Sequence, residues 1–69
     1  MTDSKKLKAK IVENGLTQEE LAEKLNISPT SLNNKINNKF PFNSDEMFRI
    51  SDILKIKEPR EIFFASNSD

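Results

Sequence analysis

The side chains able to do selective chemistry in this chain are amides and hydroxyls crowded into one stretch. Thr30, Ser31, Asn33, Asn34 and Asn37 follow Pro29 in a single run, with Lys35 among them and Lys39 just beyond. An asparagine amide carries a donor and an acceptor side by side, which matches N6 and N7 of adenine in the major groove of duplex DNA. The methyl group of Thr30 suits a thymine, and Lys35 and Lys39 are candidate phosphate contacts, with Lys10 a lesser one. Asparagine is a poor interior helix residue, costing about 0.5 kcal/mol against alanine at each site. Three on one short helix therefore suggest base readout. Asn, Lys and Ile enrichment is equally what an AT-rich genome gives any protein.

The missing residue types exclude other chemistry. There is no Cys and no His. Disulfides, thiolate or imidazole metal sites, and Cys- or His-dependent catalysis are therefore ruled out. No convergent polar cluster suggests an active site, so no enzyme activity, cofactor or metal is expected. The 69 residues make a single domain, 1–69. A domain this small buries only about 60% of its unfolded surface, leaving little room for an enclosed substrate pocket. No apolar run approaches the roughly 18 residues of a membrane span. The basic start at Lys5, Lys6, Lys8 and Lys10 leads into no apolar signal segment. A soluble intracellular protein is expected. Eleven basic residues balance 11 acidic ones, for zero net charge, whereas DNA binders usually show a basic footprint.

Helices must position the amide run, since strand signals are poor: one Val, no Tyr and no sustained alternation. The first helix is expected over Ser4–Asn14, with Leu7 and Ile11 four apart and Val12 widening the apolar stripe. Gly15, the only glycine, stands where a left-handed C-terminal residue is wanted. Thr17 and Glu20 form a capping box for a second helix, with Leu16 and Leu21 as its hydrophobic staple. That helix should stop near Leu25, because Asn26 accepts a left-handed backbone. Ser28 then caps a third helix with Pro29 at its first position, Ile27 and Leu32 repeat the staple, and Leu32 and Ile36 mark its buried face. Asn43 and Glu46 open a fourth helix, with Phe42 stapled to Met47 and a stripe of Met47, Ile50, Ile53 and Leu54. A short fifth helix is expected from Pro59 to Phe64, with one of Phe63 and Phe64 buried. The exposed ring is either ordinary surface or part of a dimer interface. Residues 65–69 should fray.

Only about three residues, Leu25 to Ile27, join the second and third helices, which forces a sharp angle. Leu21, Ala22, Ile27 and Leu32 would fill the corner, and the small Ala22 lets the helices approach. The segment from Gln18 to Ile36 thus resembles the DNA-binding core of the lambdoid phage repressor and Cro proteins. The residues that carry the likeness are Thr17-Gln18-Glu19-Glu20-Leu21-Ala22, Leu25, Ile27-Ser28 and Leu32. The chain is also similar to short single-domain prophage regulators, many of which end in a segment like Ile62-Phe63-Phe64. The resemblance runs from about Leu7 to Phe64 and implies an all-α fold of five short helices. It also implies a sequence-specific regulator in the cytoplasm of a bacterial host, repressor- or Cro-like, which inserts the third helix (29–37) in the major groove of an operator and occludes a promoter. Its contacts would come from Gln18, Pro29, Thr30, Ser31, Asn33, Asn34, Lys35, Asn37 and Lys39. Gln18, at the start of the second helix, would bond the phosphate backbone or an adjacent base.

The sequence departs from that family's pattern at several positions. Asn26 stands for the usual turn Gly, and Asn38 replaces the Gly of the loop after the third helix. Ile11 and Ile36 occupy positions where several members bury an Arg–Glu pair, so a hydrophobic contact is expected there. Lys35 replaces a common apolar residue and is expected to point toward solvent or DNA. With zero net charge, useful affinity is expected only from a homodimer on half-sites about one helical turn apart, roughly 34 Å. The lysines of the first helix read more simply as a solvated face. The alternative function is a protein-interaction module of the same fold that binds another phage regulator and has weak DNA affinity. Neutral charge and Phe40, Phe42, Phe63 and Phe64 favour that option.

Overall fold

The computed structural model describes residues 1–65. Five helices, and no strand among the described residues, make an all-α fold: α1 Ser4–Glu13, α2 Gln18–Leu25, α3 Pro29–Ile36, α4 Ser44–Leu54 and α5 Pro59–Phe63. Among the described residues no helix is long and apolar enough to cross a membrane.

Local chemistry sets most of the helix ends. Asp3, Thr17, Ser28 and Asn43 each accept a backbone N–H in the first turn of the helix they precede. Glu20 and Glu46 complete capping boxes on α2 and α4. At the other ends, Gly15, Asn26, Asn38 and Lys55 all have positive φ, between 56° and 72°. After α1, α2 and α3 the backbone closes with the paired bonds of a Schellman motif, as in Asn26 N–H to Glu23 O at 3.1 Å and Ile27 N–H to Ala22 O at 3.0 Å. Gly and Asn tolerate this backbone most readily, which explains three of the four residues. Lys55 has no such tolerance and no sequence signal.

The core gathers one face from each helix: Leu7 and Ile11, Leu21 with Ala22 and Leu25, Leu32 and Ile36, Ile50 and Leu54, and Ile62 with Phe63. Phe42 and Ile56 complete it from the loops, and Phe42 meets Phe63 edge-on with ring centroids 5.4 Å apart. Ile11 and Ile36 are both buried in the one hydrophobic core, as expected of apolar residues at these two positions. Val12 is a correction. It is 73% exposed, because one residue beyond Ile11 is about 100° further around the helix and clear of the core. The aromatic grouping is also corrected. Phe40 and Phe64 are exposed, whereas Phe42 and Phe63 are core.

The N-terminal segment is tied down on two sides. Asp3 N–H donates to Ile62 O at 2.7 Å, and Ala65 N–H donates to Met1 O at 3.0 Å. Ala65 is therefore held rather than frayed; the rest of the expected frayed tail, residues 66–69, lies outside the described residues. On the other side, Thr2 N–H donates to Asn38 Oδ1 (2.8 Å) and Asn38 Nδ2 donates to Thr2 O (2.9 Å). Ser4 Oγ donates to the carbonyl of Ile36, the last residue of α3. Asn38 thus closes α3 and clamps the chain start. Replacing it with Gly keeps the left-handed turn but loses the clamp. A net stability loss of about 1 kcal/mol is expected in urea denaturation, since two hydrogen bonds at about 0.5–1.5 kcal/mol each are partly offset by relieved backbone strain.

Candidate nucleic-acid interface

The α2–α3 corner places the amide run on the surface. Leu21, Ala22 and Leu32 are fully buried, and with Leu32 and Ile36 facing the core, Pro29, Thr30, Ser31 and Asn33 of α3 are left exposed. Asn37 and Lys39 are exposed as well, and Gln18 and Asn34 are half-buried. Two of the amides are wired together. Asn33 Nδ2 donates to Gln18 Oε1 at 3.3 Å, and Asn37 Nδ2 donates to Asn33 Oδ1 at 3.2 Å. This relay crosses from the first residue of α2 to the end of α3. It leaves the Gln18 amide nitrogen and the Asn37 amide oxygen without a side-chain partner among the described residues. Between the helices Gln18, Glu19, Pro29, Thr30 and Asn33 line a shallow cleft of about 380 Å3. The arrangement leaves amide and hydroxyl donors and acceptors on the exposed side of the corner.

Ser31 has a different first duty. Its N–H donates to Ser28 Oγ at 3.0 Å, and the Ser28 hydroxyl donates to Ser31 Oγ at 3.0 Å. It builds the N-terminal cap of α3, and its second lone pair remains exposed. Thr30 and Asn34 make no side-chain hydrogen bond among the described residues; Thr30 is exposed and Asn34 half-buried.

A helix-turn-helix family model matches residues 7–62, most of the chain and all of this corner. The chain belongs to the helix-turn-helix family. It is a lambda-repressor-like domain, and membership suggests a DNA-binding transcriptional regulator of a class that is typically non-enzymatic. Neither the curated proteins nor the solved structures contain a match.

Within this helix-turn-helix domain the cations are arranged differently from the sequence expectation. Lys35 does not point into solvent. Its Nζ lies 2.5 Å from Glu46 Oε2, and the two side chains are only 20% and 10% exposed. The reason is the position of α4, whose capping box holds the Glu46 carboxylate beside the last turn of α3. Lys10 lies 3.6 Å from Glu13 on its own helix. Lys39 remains as the exposed cation beside α3. Neither the Lys35–Glu46 pair nor the Asn38–Thr2 clamp is legible in the sequence. Glu46 was legible as a cap through its spacing from Asn43, but no local pattern links it to Lys35, 11 residues away.

Proposed function

We propose that this protein is a sequence-specific regulator of transcription of the repressor or Cro kind, phage or prophage derived, that seats α3 in the major groove. The observation that carries this reading is the Gln18–Asn33–Asn37 relay on the outer face of a helix whose inner face is locked by Leu32 and Ile36. Gln18 would meet the backbone or a neighbouring base, Thr30, Asn33, Asn34 and Asn37 would meet base edges, Pro29 and Ser31 would approach at the helix start, and Lys39 would meet a phosphate. Lys35 supports such a contact least, being paired. With Lys35 paired and Lys39 the exposed cation next to α3, one copy neutralises few phosphates through this face. Binding as a homodimer on two half-sites supplies the missing affinity. Exposed Met1, Phe40 and Phe64 give it apolar surface for self-association.

Electrophoretic shifts on a duplex selected from a random pool, run at several salt concentrations, test the reading. A shift is expected at submicromolar protein with two copies per duplex. The logarithm of the binding constant should fall against the logarithm of salt with a slope of about −2 to −4, shallow because few counterions are released. No shift at micromolar protein would overturn it. That outcome would favour the interaction module, which the same exposed Met1, Phe40 and Phe64 support.

A further inference from the structure

We infer that Glu46 sets how strongly this protein holds DNA of any sequence, by withholding the Lys35 ammonium from the phosphate backbone. The inference rests on the reading of α3 as the DNA-reading helix. Lys35 is the only cation of α3, and it sits in the last turn, beside Asn34 and four residues before Lys39. Released from Glu46, a four-carbon stem there would carry a positive charge at the end of the DNA-reading helix, where phosphates flank the groove. Here Glu46 Oε2 takes its ammonium.

The carboxylate is held in place for that duty. Glu46 Oε1 accepts the Asn43 N–H at 3.0 Å, and the Glu46 N–H donates to Asn43 Oδ1 at 2.7 Å. One oxygen thus belongs to the cap of α4 and the other is aimed at α3. A side chain already ordered by its cap loses little further freedom when it pairs, and charge-assisted bonds are the stronger kind. The pair is also mostly withdrawn from water, so salt screens it less than an exposed pair.

The consequence concerns selectivity. Phosphate attraction raises affinity for every sequence, whereas amide readout favours one. Pairing Lys35 internally removes a sequence-blind contact from each copy and leaves the neutral amide face to decide. The pair thereby keeps the ratio of specific to random binding high.

Glu46→Gln is the test, because glutamine at this position can still close the capping box. The variant should bind random-sequence duplex more tightly. Its salt slope should steepen by about 0.9 per copy, so each bound copy loses about 3–4-fold more affinity than wild type between 50 and 200 mM salt. The advantage of a selected site over random duplex should shrink. The double variant Lys35→Gln/Glu46→Gln should return to the wild-type slope. An unchanged slope in Glu46→Gln, or a steeper one that persists in the double variant, overturns the inference while leaving DNA binding intact. Wild-type protein that binds no duplex overturns both. A readout without DNA separates them further: an amine-acylating reagent should modify Lys35 of wild type more slowly than Lys39, and at a similar rate in Glu46→Gln. Equal rates in wild type would also overturn the inference.

Discussion

Truncating Leu32 to alanine is expected to remove about 2–5 kcal/mol of stability, the usual cost of emptying a fully buried leucine site. Leu32 has no exposed surface and belongs to the same core as Leu21, Ala22 and Ile36. It serves both the inside of the α2–α3 corner and the general core. A domain of this length has only about 0.05–0.15 kcal/mol of stability per residue, so the loss is a large part of the total. The corner cannot collapse to fill the gap, because Ala22 is already the small partner and the turn at Asn26 fixes the angle. Urea denaturation followed by far-ultraviolet circular dichroism measures it. A loss below about 1 kcal/mol would mean that α3 is not anchored through Leu32. Thr30→Ala, on the exposed side of the same helix, should change stability by less than about 0.5 kcal/mol.

The second large effect belongs to the outer face of α3. Asn34→Ala and Thr30→Ala should each weaken binding to a selected duplex by about 1–3 kcal/mol, or roughly 5- to 150-fold, the range for losing a base contact. Binding to random duplex should change by less than about 2-fold, since neither side chain carries charge. These two residues separate function from folding better than Asn33 does. Asn33 bonds both Gln18 and Asn37, and its loss would also unfix its neighbours. Competition shifts with both duplexes give the two numbers side by side. Equal loss on both duplexes would refute base readout by these residues.

The corner could be read from sequence because its determinants are local. Thr17 and Glu20 stand three apart, Ser28 precedes Pro29, and Asn26 occurs where the apolar spacing of α2 stops. Each signal acts within one turn of helix, and each recurs in the structure as a hydrogen bond or a positive φ. What could not be read depends on how helices meet. Val12 follows the apolar residue Ile11 in sequence, yet only packing shows that the neighbouring helices cover one and not the other. Lys35 reads as a free cation in sequence, and only the position of α4 gives it a partner. Asn38 could be read as a turn residue, but its grip on Thr2 spans 36 positions. For the outer face, periodicity indicated which side chains point away from the core. It could not show that Asn33 joins Gln18 and Asn37 in one line.

Repeated selection of bound fragments from random duplex DNA, with wild-type protein, bears most directly on the claim that this face reads bases. The recovered pool should converge on one motif with two-fold symmetry, adenine-containing half-sites and a repeat of about one helical turn. A pool as diverse after selection as before it, from protein shown to be folded, would contradict the claim.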